Sequence, residues 1–219
     1  MMIPFSKALD TNNMLCKYRK SGNVMENMFT LHAYHPINQP IENNTWGLKY
    51  GARTFKLYFK NLIDALEFKL NPVDRIIKNN EKIEVVMHNK IIGNLTDNYE
   101  EFNNNNKILL LNGSSEYIEI PNNSVDAVVT DPPYYDNVMY SELSDFFYVW
   151  LRLGLKENYG NFRSELTPKR AEIVKNKYQN KGNKEFIEGL TRVFRECYEK
   201  LKDEGLFVFT FHHGGKEAW

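Results

Sequence analysis

Two kinds of hydrophobic pattern alternate along the second half of the chain. Short apolar runs at residues 108–111, 124–130 and 206–211 are typical of strands. In the second run, Val125, Ala127, Val128 and Val129 indicate a strand buried on both faces. Between the last two runs, two segments repeat apolar residues every three or four positions, which predicts amphipathic helices. The first contains Leu143, Phe146, Phe147, Trp150 and Leu151, and the second contains Phe186, Leu190, Val193, Phe194, Cys197 and Leu201. Gly154 is placed to cap the first helix, and residues 203–205 are expected to end the second.

This alternation of strands and helices predicts an α/β fold. Strands joined through helices run parallel and form one sheet with helices packed on its faces, as in Rossmann-like folds. Ligands of such sheets gather at the carboxyl ends of the strands. Asn112-Gly113, Asp131-Pro132-Pro133-Tyr134 and His212-His213 each follow a predicted strand. We therefore expect these three turns to line one crevice.

The first half of the chain is less regular. Residues 1–51 show scattered proline, glycine and asparagine with little periodicity, whereas residues 52–70 carry apolar positions at helical spacing until Asn71-Pro72. The asparagine run at residues 103–106 is typical of a loop. We therefore predict an irregular, partly helical N-terminal part over residues 1–102 and an α/β core over residues 103–219.

Composition narrows the class of protein only slightly. Of the 219 residues 42% are hydrophobic, which suffices for a sizeable core. Lysine plus arginine equals aspartate plus glutamate at 28 each, so net charge does not indicate a polyanionic partner. Cys16 and Cys197 are too few for a four-cysteine zinc site, and we expect neither a disulfide scaffold nor a metal. Without a signal peptide or an apolar run of about 18 residues, a cytoplasmic location without membrane contact is expected.

The turn after the second apolar run carries distinctive chemistry. Asp131 offers a carboxylate, and Pro132 keeps its carbonyl while lacking an N–H donor. Two rigid acceptors suit the exocyclic amine of a nucleobase, and Tyr134 or Tyr135 offers a ring on which that base stacks. With both of its protons held, the amine can turn its lone pair toward an electrophilic methyl group. The alternative is a plain Asp-Pro turn without catalytic function.

The same residues resemble a known family. Asp131-Pro132-Pro133-Tyr134 looks like the D-P-P-Y motif of S-adenosyl-L-methionine-dependent amino methyltransferases, a class dominated by DNA adenine-N6 and cytosine-N4 enzymes. The longer run "TDPPYYDNVMYSELSDFFYVWLRLGL" resembles prokaryotic adenine-specific DNA methylases that contain a zinc ribbon and a front domain of unknown function. "LKDEGLFVFTFHH", "NNMLCKY" and "IENNTWG" are similar to further segments of that group.

The resemblance implies a role for each residue of the predicted crevice. Asp131, Pro132 and Pro133 would hold the target amine, and Tyr134 would stack on the flipped base. Asn112, Gly113 and Ser114 would lie near the adenine of S-adenosyl-L-methionine. The substrate candidates beside them are Tyr135, Asn137, Tyr140 and His212.

The chain departs from this family in three respects. It has no glycine-rich F-x-G-x-G loop for the methionine part of the cofactor, no acidic residue after a convincing second strand, and no zinc-ribbon cysteines. We therefore expect a partial Rossmann-like methyltransferase sheet, a fragment or one half of a split methylase whose partner carries the cofactor loop.

Other features favour less specific interpretations. His212-His213-Gly214-Gly215 is compatible with a metal pair or a hydrolase loop, but neighbouring residues of a strand face opposite sides and no G-x-S-x-G accompanies them. The basic residues between positions 163 and 184 form either a solvated face or a phosphate-binding surface.

Three functions remain open at this point. Methyl transfer to adenine N6 in DNA is the first, RNA guanine-N2 or DNA cytosine-N4 methylation is the second, and a catalytically silent nucleic-acid-binding or assembly subunit is the third.

Overall fold

A computed structural model describes residues 1–37, 41–47, 49, 53–87, 93–102 and 107–215. In these ranges the fold is mixed α/β, and its sheets have two strands each. The helices are α1 (Met2–Leu9), α2 (Phe55–Leu70), α3 (Tyr99–Phe102), α4 (Tyr140–Leu155) and α5 (Asn183–Lys200). The strands are β1 (Lys17–Arg19), β2 (Val24–Glu26), β3 (Val73–Lys78), β4 (Glu81–Val86), β5 (Asn94–Thr96), β6 (Lys107–Leu109), β7 (Val125–Thr130) and β8 (Leu201–Phe209). No helix in the described ranges has the length and apolar character that crossing a membrane requires.

Contacts divide the chain into two units. The first consists of Met1–Ile92 with Leu143–Leu166, and the second of Gly93–Glu142 with Thr167–Trp219. The boundary between residues 102 and 103 stays a prediction, and the asparagine loop at 103–106 lies outside the described residues.

The first unit has a small core beside a short antiparallel pair. Strands β1 and β2 pair with each other, and Met25 of β2 packs with Cys16 and Met28 against the half-buried ring of Phe146. Cys16 is a free thiol, and its burial raises its pKa above the ordinary value for cysteine. This cysteine is therefore a packing residue.

Helix α2 confirms the helix predicted from the spacing of apolar residues. Its first residue is Phe55, because the buried Thr54 caps its N-terminus, and the predicted start at Ala52 lies outside the described residues. The Thr54 hydroxyl accepts the N–H of Leu57 at 3.2 Å and donates to the carbonyl of Gly47.

Helix α4 is also confirmed, but the role predicted for Gly154 is wrong. The helix continues through Gly154 to Leu155. A Cβ placed on Gly154 would lie 2.9 Å from Cε of Met2 in α1. Glycine is therefore needed at this position for close packing, whereas its capping role would have required a left-handed backbone beyond the helix end.

The second unit contains the two parallel strand pairs. Strand β5 pairs with β6, and β7 pairs with β8 through the long helix α5. The ladder opposes Ala127 to Leu206 and Thr130 to Phe209. Residues 203–205 do not end α5 as predicted, because Leu201 already pairs with Val125 and the intervening residues form an irregularity in β8. The regular part of the strand begins at Leu206, as predicted.

The prediction that β7 is buried on both faces is wrong, and β8 beside it is likewise covered on one face only. On one face, Phe194 of α5 packs against Phe207 at 5.0 Å and Phe209 at 5.2 Å between ring centroids. On the other face, Val129 is 78% exposed and Leu206 is 66% exposed. No described element covers that face, and β6 pairs with β5 instead of joining β7 in a larger sheet.

The cap of α2 gives a stability prediction. Thr54→Ala should destabilise the helix by about 1 kcal/mol or more, because it leaves the N–H of Leu57 and the carbonyl of Gly47 without their buried partner. Hydrogen exchange of the α2 amides and urea denaturation measure the effect. Thr54→Ser keeps the hydroxyl and serves as the control; equal protection in wild type and Thr54→Ala would contradict the assignment.

Candidate active site

The Asp131-Pro132-Pro133-Tyr134 turn lies at the carboxyl end of β7. The strand ends at Thr130, so Asp131 is the first residue outside the ladder. Its side chain is exposed, whereas Pro132 is buried behind it. The turn closes with a hydrogen bond from the N–H of Asn137 to the carbonyl of Tyr134 at 3.1 Å. The fixed φ angles of the two prolines and this hydrogen bond hold the Asp131 carboxylate at the end of the strand.

The neighbouring strand supplies a partner that the sequence did not reveal. Because Thr130 pairs with Phe209, the next residue, Thr210, lies beside Asp131, and its N–H reaches the carbonyl of Thr130 at 3.3 Å. The hydroxyls of Thr210 and Tyr134 both donate to Oδ1 of Asp131. These hydrogen bonds, with Thr210 as the larger cause, lower the pKa of Asp131 below its ordinary value. The carboxylate is therefore a stable anion and an acceptor.

Tyr135 anchors this turn from behind. Its backbone has a φ of 59°, a left-handed conformation that an aromatic residue rarely adopts. Tyr135 as a whole is only 2% exposed, and its ring packs edge-on against Phe186 with centroids 5.2 Å apart. Lys175 donates to its hydroxyl at 2.9 Å, and that hydroxyl donates to Asn183. Tyr135, expected to face the substrate, is thus buried and offers no open ring.

Two further contacts connect this turn to the end of β8. Nε2 of His213 lies 2.9 Å from Oδ1 of Asp136, and the side-chain amide of Asn137 donates to the carbonyl of His212 at 3.4 Å. Nδ1 of His213 lies 3.0 Å from the backbone nitrogen and 3.3 Å from the carbonyl oxygen of Gly215, so both ring nitrogens have polar partners. Asn137 and His212 were both expected to contact substrate. In the structure, the hydrogen bond between them connects the Asp131 turn to the end of β8.

A cavity of about 620 Å³ opens beside Asp131. Its walls come from the turn, from the segment after β6, from the start of α4, from the loop before α5 and from α5 itself. Its lining includes Asn112, Gly113, Ser114, Thr130, Asp131, Pro132, Pro133, Tyr140 and Glu172. Two of the three predicted turns therefore meet at this cavity, and the third, at His212, adjoins the first through the contacts described above.

Tyr140 is the tyrosine that lines this cavity. Tyr140 is 44% exposed, and its pKa is raised mainly because the rest of its side chain is withdrawn from water and secondly because of the nearby Asp131 carboxylate. Tyr134, predicted to stack on a base, uses its hydroxyl on Asp131, and its ring packs against Phe211 with centroids 5.6 Å apart. The aromatic face in the cavity is thus that of Tyr140.

Glu172 caps the N-terminus of α4. Its carboxylate accepts the N–H of Ser141 at 3.0 Å and the Ser141 hydroxyl at 2.5 Å, which places a negative charge at the positive end of that helix. Sequence analysis missed Glu172, because nothing in its own segment indicates that it folds back onto the helix start.

A second cavity, of about 540 Å³, shares the segment at residues 112–115 with the first. Its walls include Asp97, Leu110, Leu111, Tyr117 and Ile118. Asp97 follows β5, which pairs in parallel with β6, so an acidic residue does follow a strand beside the Asn112 turn. Sequence analysis missed it because β5 is only three residues long. The sequence feature that could have indicated Asp97 is the triplet Leu95-Thr96-Asp97, which lies shortly before α3.

Part of the basic segment faces inward. Lys181 donates to the carbonyls of Lys169 and Glu172, each at 2.7 Å, and burial lowers its pKa. Lys175 donates to Tyr135. These two lysines stabilise the loop around the cavity, and a phosphate-binding surface would have to use other basic residues of the segment.

No protein-family model, no curated protein and no solved structure matches this chain. The resemblance of the sequence to the amino methyltransferases therefore remains an expectation.

The proximity of Tyr140 and Asp131 can be tested by titration. Asp131→Asn should lower the pKa of Tyr140 by removing the nearby negative charge, while the pKa stays above the ordinary tyrosine value because burial remains. NMR of protein labelled at the tyrosine Cζ carbons measures this, with Tyr140→Phe to assign the signal. Asp126→Asn on the same strand is the control, since Asp126 is exposed and paired with Lys202. An unchanged Tyr140 titration in Asp131→Asn would contradict the arrangement.

Proposed function

We propose that this chain transfers a methyl group from S-adenosyl-L-methionine to the exocyclic amino group of a nucleobase, adenine N6 in DNA. The observation that carries the proposal is the Asp131 carboxylate. It is an exposed anion at the rim of a cavity, and that cavity shares a wall with a second one. A transfer reaction needs two ligands side by side, and two cavities joined by one short segment suit that requirement.

The first cavity suits an amine. Asp131 accepts one N–H of the amine, and the carbonyl of Pro132, which has no N–H of its own, accepts the other. Tyr140 offers the aromatic surface for the base beside these acceptors. The negative charge of Asp131 also stabilises the positive charge that develops on nitrogen as the new bond forms.

The second cavity suits the nucleoside part of the cofactor. Its apolar walls accommodate a purine, and the Asp97 carboxylate is an acceptor for ribose hydroxyls. A Cβ placed on Gly113 would meet no protein atom within 4 Å, so the glycine leaves open space where the two cavities meet. When bound, S-adenosyl-L-methionine would supply a methyl group on a sulfonium sulfur, and Asp97, Asn112, Gly113 and Ser114 would hold its nucleoside end.

The low pKa of Asp131 favours one fate for the amine proton. A carboxylate stabilised by two hydrogen bonds is a weak base. Asp131 therefore orients the amine and balances its charge, and the proton that the methylated nitrogen loses passes to water.

A Rossmann-like architecture with a missing complement is part of the proposal. Its support is the parallel pairing in both strand pairs of the second unit, together with the apolar face of β7 and β8 that no element in the described ranges covers. The partner that this face suits is an apolar segment of the other half of a split methylase, which would bring the F-x-G-x-G loop. DNA, or RNA, is the nucleic-acid partner, and the cytoplasm is the location in which these would meet.

Two alternatives share the same site. The first is methylation of guanine N2 in RNA or of cytosine N4 in DNA, because these exocyclic amines could bind the same Asp131-Pro132 acceptors. A catalytically silent nucleic-acid-binding or assembly subunit is favoured by the lack of a glycine-rich loop in this sequence.

Removal of the carboxylate tests the proposal. In a preparation that methylates DNA, Asp131→Ala should lower the rate by about a hundredfold or more, because both the acceptor and the negative charge are lost. Asp131→Asn keeps an acceptor oxygen and should retain more activity. The measurement is incorporation of labelled methyl groups into DNA, with Asp126→Asn as the control for a lost surface carboxylate. Normal turnover of Asp131→Ala would refute the catalytic role.

Cofactor binding gives a second test. The chain alone should bind S-adenosyl-L-methionine weakly or not at all, because no glycine-rich loop approaches the methionine part. Saturation-transfer NMR detects weak binding, and Asp97→Asn should reduce the signal of the ribose protons while Asp126→Asn leaves it unchanged. Tight binding by calorimetry, or a wild-type saturation-transfer signal that Asp97→Asn leaves unchanged, would contradict this assignment.

A further inference from the structure

The two oxygens of the Asp131 carboxylate have different surroundings. Oδ1 accepts hydrogen bonds from the hydroxyls of Thr210 and Tyr134, which lie 3.1 Å from each other. Oδ2 accepts no hydrogen bond from any residue in the described ranges. Within the described residues, Oδ1 is therefore hydrogen-bonded by the protein and Oδ2 is available to a ligand. The carboxylate is exposed and lines the cavity.

We propose that Thr210 is a positioning residue, which together with Tyr134 occupies Oδ1 of Asp131 and so reserves Oδ2 for an N–H of the target amine. This inference rests on the proposed methyl transfer and deepens it.

The position of Thr210 is set by the backbone, independently of its side chain. Strand β8 pairs with β7 up to Phe209, and the N–H of Thr210 continues the ladder to the carbonyl of Thr130. A β-branched residue has few side-chain rotamers, so its hydroxyl reaches Oδ1 with little loss of conformational freedom. Tyr134 is fixed in a similar way, because its ring packs edge-on against Phe211.

Two donors on one oxygen have two consequences. A carboxylate held at Oδ1 cannot rotate freely about its Cβ–Cγ bond, so Oδ2 keeps one direction. Each hydroxyl has a single proton, so neither Thr210 nor Tyr134 retains a donor for the base. Their part in the reaction is therefore to orient Asp131 and to keep it ionised.

The test compares Thr210→Val, which keeps the shape of the side chain without its hydroxyl, with Thr210→Ser, which keeps the hydroxyl. NMR titration of protein labelled at the aspartate Cγ carbons reports the ionisation of Asp131 directly. The Asp131 pKa should rise in Thr210→Val and in Tyr134→Phe, and it should stay near the wild-type value in Thr210→Ser. A role limited to packing would leave this titration unchanged.

Methyl transfer to DNA gives the second measurement. Thr210→Val should lower kcat about tenfold to a hundredfold, the range seen when a hydrogen-bond partner that orients a metal ligand is removed, with KM for S-adenosyl-L-methionine unchanged. Because a carboxylate with a raised pKa is protonated at higher pH, the acidic limb of the kcat profile should move to higher pH. Thr210→Ser should restore both values.

The outcomes separate the positioning role from the proposed function. If the wild type transfers methyl groups and Thr210→Val matches it in kcat and pH profile, the positioning role is overturned while the function stands. If the titration shifts as expected but the wild type, combined with a partner chain that carries the F-x-G-x-G loop, methylates no nucleobase, the function fails and the hydrogen-bonded orientation of Asp131 stands. An unshifted Asp131 titration in Thr210→Val and Tyr134→Phe overturns the inference. Should Thr210→Val fail to fold by circular dichroism, Tyr134→Phe against Thr210→Ser decides the question.

Discussion

The parallel pairing of β7 with β8 is the interaction on which the candidate site depends. Thr130 lies opposite Phe209, so strands β7 and β8 end beside each other. The next residues, Asp131 and Thr210, are therefore neighbours and form a hydrogen bond. Helix α5 makes this possible by returning the chain to the start of a parallel neighbour, and it packs Phe194 on the aromatic face of β8. A shift of one residue in this register would turn Thr210 to the opposite face and leave Asp131 without its partner.

The two adjacent tyrosines of the turn stabilise it through contacts on opposite sides. Tyr134 reaches forward to the carboxylate, whereas Tyr135 is buried behind the turn in a left-handed conformation that costs about 1–2 kcal/mol for a residue with a Cβ. Contacts of its ring with Phe186 and His213, and hydrogen bonds of its hydroxyl, offset that cost. The turn is thus fixed from the interior and remains open toward the cavity.

The sequence predicted those parts of the structure that depend on local patterns. Helices α2, α4 and α5 follow from apolar spacing. The Asp131 turn and Asn112 do line one cavity as predicted, although the strands before them belong to separate two-stranded sheets and not to the single sheet that was expected. The sequence did not predict contacts that depend on long-range pairing: the Thr210 hydroxyl, Asp97 after a three-residue strand, and Gly154 under Met2. The β3–β4 hairpin was missed although Asn79-Asn80, both with positive φ, join its strands. The apolar character of β7 was visible, but no sequence pattern tells whether an apolar face finds a cover within the described chain.

The distribution of charge around the site bears on the choice of ligand. Asp131 and Asp97 place carboxylates on both cavities, whereas Lys175 and Lys181 of the basic segment turn toward protein acceptors. A cavity lined in this way favours groups with N–H or O–H donors or a positive charge, and disfavours phosphate. An exocyclic amine, a ribose diol and a sulfonium centre all meet that condition. The phosphates of a nucleic acid would then be held outside the cavity, so that backbone binding and recognition of the base would rest on separate groups of residues.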